Sequence, residues 1–205
     1  VKIVGQKITQ DQRNTIRKVS QSLIGYEIIE ESLEGILIKN IFDSAKFPII
    51  ENIEKMFTIA KSMFYDAIEA ITKHNNSLAR DVIDRDFEID KLELAITRQF
   101  YTLIQGRVYD EEIGLSQKDL SYYENVATQL ERIADHAAKI ARTVINTDKK
   151  SGNLSYGLKS LANKILPLLK SSEEMVLKLD KSLAHKILDK NSTIEKMIAL
   201  SRNVK

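Results

Sequence analysis

The chain has 205 residues, 43% hydrophobic and 29% charged, a balance that argues against disorder and supplies one large core or two small ones. Seven Gly, two Pro and no Trp leave few breakers, so long helices are favoured over a strand-rich fold; the lack of Cys removes disulfides and thiolate metal sites and fits a reducing cytoplasm. The net charge of +2 is uneven: residues 49–148 hold eighteen Asp/Glu against twelve Lys/Arg, which argues against nucleic-acid binding there, whereas Lys149 to Lys205 holds twelve Lys/Arg against five Asp/Glu.

No apolar run approaches the roughly 18 to 20 residues of a membrane span, so any membrane link is expected to go through a partner. The chain opens at Val1 directly into the apolar VKIVG, and it reads as a fragment or processed form.

VKIVG predicts a short strand. TQDQRNTIRKVSQSL predicts a helix opened by Thr9 and Gln12 as a capping box, with Gly25 closing the segment. YEIIEES and GILIKNIF, joined by LEG, read as a hairpin. Residues 1–46 thus form a small α/β segment, β-α-β-β in order, too small to bury a core alone; either upstream residues complete it or it packs on the helices C-terminal to it.

From Phe47 the apolar period becomes helical. A helix over about 49–73 aligns Ile50, Ile53, Phe57, Ala60, Phe64, Ala67 and Ile71, and a second over about 77–105 aligns Leu78, Val82, Ile89, Leu92, Ile96, Phe100 and Leu103 before Gly106. After a loop through RVYDEEIGL, Ser116 and Asp119 signal the start of a third, which carries Leu130, Ile133, Ala137, Ile140 and Val144 to about Asn146. Each rod is roughly 40 Å long at 1.5 Å per residue, and the short connections predict an antiparallel bundle over 47–148.

DKKSGN breaks the pattern. A fourth helix comes next with Leu158, Leu161, Ile165, Leu168, Met175 and Leu179, and Pro167 is expected to kink it; a fifth begins near Ser182. Shifted by 105 residues, NSLARDVIDRDFEIDKL (76–92) lies over KSLAHKILDKNSTIEKM (181–197), with Ser77, Asp84 and Lys91 recurring as Ser182, Asp189 and Lys196. Helical register alone does not make those polar residues coincide, so 149–205 reads as a second, incomplete repeat of two helices. The fold class is mainly α: repeated three-helix units behind a small β-α-β-β segment.

The chemistry lies in carboxylates. Asp86, Asp90 and Glu93 fall within two turns of the second helix, and Glu131 and Asp135 one turn apart on the third. Like charges at that spacing repel by about 0.2–0.5 kcal/mol. No base stands three or four residues from Asp86, Asp90, Glu93 or Glu131; Asp135 has Arg132 and Lys139 in reach. Acidic pairs are common on solvated helix faces, and that is the plain reading. The sharper one is an all-oxygen cation site, in which carboxylates on two neighbouring helices share a divalent ion. Oxygen ligands suit Mg, Ca, Mn or iron. His74 is read as capping a helix end, His185 as a surface residue, and His136 as at best a neighbour of the ligands. No Glu-x-x-His, Gly-rich phosphate loop or Cys/His pairing supports an enzyme.

VIDRDFEIDKL and LERIADHAAKIA, about 45 residues apart in a unit that repeats, resemble the PhoU family of phosphate-uptake regulators over about residues 50–205. The resemblance implies two three-helix halves, often dimeric, with metal ions on the bundle surface: iron, Mg, Mn, Ca or Zn. The family's two acidic signatures fall on Asp86 with Asp90 and on Glu131 with Asp135, the metal ligands implied here, with Glu93 a possible addition. In the second repeat the signature becomes Asn191 and Glu195, which weakens the case for a second metal. The resemblance further implies a cytoplasmic, non-enzymatic adaptor between a phosphate ABC transporter's ATPase and a sensor histidine kinase. The N-terminal part is similar to archaeal-type members in which an AbrB-like DNA-binding domain, absent from this chain, precedes the helices.

The expected function is a metal-binding regulator of phosphate uptake and starvation signalling acting by protein contact, without membrane insertion or direct nucleic-acid binding by this chain. Two rivals stand beside it: a transcription regulator whose helices sense or dimerise while a preceding domain holds DNA, and a carboxylate-bridged metal enzyme.

Overall fold

The structure, a computed structural model, describes residues 1–107, 109–147, 152–180 and 182–190. In chain order it runs β1 (Lys2–Val4), α1 (Gln10–Gln21), β2 (Tyr26–Glu31), β3 (Gly35–Asn40), α2 (Ile49–Lys73), α3 (Asn76–Ile104), α4 (Asp110–Ile113), α5 (Gln117–Ile145) and α6 (Gly152–Lys178). A further helical run covers 182–190. The fold is mainly helical behind a small N-terminal sheet, as the sequence predicts.

Local chemistry sets the boundaries. The Thr9 hydroxyl accepts from Gln12 N–H and Gln12 Oε1 accepts from Thr9 N–H, the reciprocal capping pair that starts α1. Asn75 Oδ1 accepts from Leu78 N–H to cap α3, and Ser116 Oγ accepts from Asp119 N–H to cap α5. Between α2 and α3 only His74 and Asn75 intervene: His74 turns left-handed at φ 52°, and Asn75 N–H reaches back to Ala70 C=O at 2.9 Å. Gly25, at φ +76°, meets Phe42 so closely that a Cβ would lie 2.6 Å from that residue's own Cβ.

The chain divides into two compact units, residues 1–53 with 87–131, and 54–86 with 132–205. In the first, β3 lies between β1 and β2 in an antiparallel sheet, with a register irregularity between Ile28 and Glu30. The β-α-β-β segment is fastened to α3. Gln99 of α3, fully buried, donates from Nε2 to Ser44 C=O and Phe47 C=O, while Arg98 donates to Ile24 C=O and to Asn40 Oδ1 at 2.5 and 2.9 Å. The Arg98 guanidinium also covers the rings of Tyr26 and Phe42, 4.7 and 4.3 Å from their centroids. Burial among these groups holds the Arg98 pKa below its ordinary value.

In the second unit the buried residues are smaller. Ala134, Ala137, Ala138 and Ala141 form the buried side of α5 there, and Met56, Met63, Ala67 and Val82 are buried in the same unit. Alanines allow close helix approach, since the side chains at a contact set the interaxial distance. Arg85 of α3 ties to α2 through Ser62 Oγ and Asp66 Oδ2, both at 2.6 Å. Lys61 of α2 meets Glu173 of α6 at 2.5 Å.

Several expectations need correction. Ile50 is 44% exposed, because the α2 face turns on Ile49 and Ile53, and Met56 and Met63 fill core positions outside the predicted apolar stripe. Phe64, Ile71, Leu78, Phe100, Ile133 and Ile140 are half-buried rather than central. The expected loop 107–115 contains the short helix α4, ended by left-handed Gly114. The fourth helix starts inside DKKSGN, at Gly152, and Pro167 lies within it. Leu179 is exposed, because α6 ends before it and its backbone turns left-handed. Asn191, Ile194, Glu195 and Lys196 of the second repeat lie outside the described residues.

Candidate metal-binding carboxylates

Asp86 stands on α3 and Asp135 on α5, both in the second unit, and one arginine joins them. Arg142 Nη2 donates to Asp86 Oδ2 at 3.0 Å, and its Nη1 lies 3.9 Å from Asp135 Oδ1. Lys139, one turn after Asp135, donates to Asp135 Oδ2 at 2.5 Å. Helix geometry explains the set: 135, 139 and 142 are spaced by four and three, so they lie along one stripe of α5.

The two carboxylates differ electrostatically. Asp86 has a side chain 15% exposed, and burial raises its pKa despite the opposing hydrogen bond from Arg142. Its Oδ1 is buried and has no hydrogen-bond partner. Asp135 is more open, and the Lys139 ammonium holds its pKa below the ordinary aspartate value. Helical spacing predicts no base beside Asp86. That expectation is corrected, because its cation arrives from the neighbouring helix rather than from its own. For Asp135 the expected Lys139 contact is present.

The other acidic residues belong to the first unit. Glu93 Oε1 accepts from the hydroxyls of Thr97 and Thr128, at 3.2 and 3.3 Å. Asp90 and Glu131 are half-buried and also have interaction partners. Among the described residues, no three His, Cys, Asp or Glu side chains are gathered to hold a metal ion. His136 Nδ1 is 2.6 Å from Arg132 C=O, a contact in which that nitrogen carries the proton and donates.

A model of the PhoU domain matches residues 53–144. Over those residues the chain is similar to the PhoU family. Two relatives, each described as a phosphate-specific transport system accessory protein PhoU homolog, come from Clostridium acetobutylicum and Aquifex aeolicus. They are 21% and 26% identical over 164 and 148 residues, covering 78% and 72% of this chain and 73% and 66% of their own lengths. No solved structure matches the chain.

Asp86 Oδ1 is buried without a hydrogen-bond partner, while Asp86 Oδ2 and Asp135 are already paired with Arg142 and Lys139. Sequence reasoning missed Arg142. Its signal is a base seven residues after Asp135, two turns along the same face and beyond the one-turn reach that defines helical neighbours.

Proposed function

We propose that this PhoU-domain chain regulates phosphate transport, and the associated starvation response, by binding other proteins in the cytoplasm rather than by catalysis. The observation that carries the reading is the PhoU domain over residues 53–144, shared with relatives named as accessory proteins of phosphate-specific transport. Its partners are the ATPase subunit of a phosphate ABC transporter and a phosphate-sensing histidine kinase, and it works as a homodimer. Among the described residues no helix is long and apolar enough to cross a membrane, so contact with the transporter runs through a subunit at the membrane surface. In this reading a divalent or trivalent metal ion binds with Asp86 and Asp135 among its carboxylate ligands. Residues 149–205 extend the first repeat as a partial second one.

The test is affinity capture of the full-length protein from phosphate-replete native cells, followed by identification of bound proteins. Recovery of the transporter ATPase or the kinase is the expected result. Recovery of operator DNA without either protein would instead support a transcription regulator.

A further inference from the structure

We infer that the free edge of β1 is a homodimer surface, at which a second copy of this chain pairs its own β1 antiparallel about Ile3 and joins the two three-stranded sheets into one. This rests on the homodimer of the proposed function and gives it a place. All the residues concerned belong to the first unit.

Backbone phase comes first. β1 lies at an edge of the sheet, paired with β3 on one side. Val1 and Ile38 exchange hydrogen bonds at 2.6 and 2.8 Å, and Gly5 N–H donates to Glu34 C=O at 3.0 Å. In an antiparallel ladder the bonded pairs alternate, so residues 1, 3 and 5 turn toward β3, and Lys2 and Val4 direct their N–H and C=O outward. Those two residues stand equally far from Ile3. A twofold axis there sets Lys2 of each copy against Val4 of the other, and four hydrogen bonds then satisfy every outward group of both residues.

The side chains agree with that register. Successive residues of a strand face opposite ways. Ile3 turns to the α1 side, where it shares a groove of about 470 Å³ with Ile8, Thr15 and Ile16. The axis brings the two Ile3 side chains together, and the two grooves become one apolar seam. Lys2 and Val4, the latter 69% exposed, lie on the other side, in a depression that also holds Glu30, Glu34 and Gly35. Lys2 of the second copy arrives beside Val4, at the end of that depression where Glu34 stands and where Gly35 offers no side chain to block it. Among the described residues no ion pair takes up Lys2, Glu30 or Glu34, so an ammonium and a carboxylate are free to meet across the junction. An axis at Lys2 would instead oppose two ammoniums, and charge thus selects the Ile3 register.

The experiment is sedimentation velocity of the full chain over a concentration series, with oxidative cross-linking alongside. Val4→Pro removes an outward donor that β1 does not use within its own sheet, and an edge strand tolerates proline there. It is expected to raise the dimer dissociation constant about tenfold or more, the scale of the two donors lost per dimer. Glu34→Lys should weaken the dimer, and adding Lys2→Glu to it should restore affinity. The chain has no Cys, so Ile3→Cys supplies a unique thiol. Across the axis the two Cα atoms stand about 4.5 Å apart, within the span of a disulfide, and mild oxidation should yield a covalent dimer. Val19→Cys, at an exposed position on α1, should not. The cross-link decides the matter if Val4→Pro does not fold. A dimer unaffected by Val4→Pro and giving no link at position 3 overturns the β1 surface while leaving the homodimer intact. A chain that stays monomeric throughout and gives no link overturns both.

Discussion

His74 and Leu179 both hold left-handed backbone, at φ 52° and 51°, just past the ends of α2 and α6, and in each case the next N–H reaches back five residues. Glycine normally occupies such positions because a Cβ there costs about 1–2 kcal/mol. Leu179 is 58% exposed and offers little packing in return. Leu179→Gly is therefore expected to stabilise the protein by up to about 1 kcal/mol, measured by urea unfolding. Charge makes a different prediction at Asp135. Its pKa is depressed by Lys139, so the pair's stabilisation is complete above pH 3.8 and is lost as pH falls through the lower folded value. Asp86, with a raised pKa, runs the other way, losing stability as pH rises from 3.8 through its folded value. Lys139→Gln should cost less than about 1 kcal/mol at pH 7, since the lysine is 62% exposed, and the difference from wild type should vanish as the solution is acidified below the folded Asp135 value. Residue identity alone locates Asp86 and Asp135. It does not supply Arg142, because which helix lends the opposing charge depends on how α3 and α5 lie together.

At the scale of elements, α3 carries much of the first unit's cohesion through two adjacent side chains. Gln99→Ala would leave the carbonyls of Ser44 and Phe47 without their buried donor and open a small void, so a loss of about 2–3 kcal/mol is expected from chemical denaturation. Arg98→Ala should speed amide exchange across β2 and β3, since its contacts to Ile24, Tyr26, Asn40 and Phe42 hold that hairpin. The buried alanines of α5 set a tight limit: Ala137→Leu should destabilise by about 1–3 kcal/mol through overpacking. Helix positions are legible from apolar period and caps, and the limits of α2 agree with that pattern residue for residue. Which apolar residues reach full burial is less so. Ile49 and Ile50 differ by one step on the wheel, and only the neighbouring elements decide which one turns inward.

At the scale of the molecule, the VIDRDFEIDKL and LERIADHAAKIA motifs resemble the PhoU family, and the PhoU domain model matches residues 53–144, which contain both. The N-terminal segment is legible as strands and a helix from Thr9, Gln12 and the YEIIEES/GILIKNIF alternation. Its attachment is not, because neither Arg98 nor Gln99 differs in sequence from any polar residue at the margin of an amphipathic helix. In the proposed function this chain controls phosphate entry as a non-catalytic adaptor. The direct measurement is the initial rate of labelled-phosphate uptake in phosphate-replete cells that lack this chain, compared with the parent and with cells in which it is restored. Uptake is predicted to stay high in its absence despite ample phosphate and to return to the parental rate on restoration; uptake equally low in all three would contradict the claim.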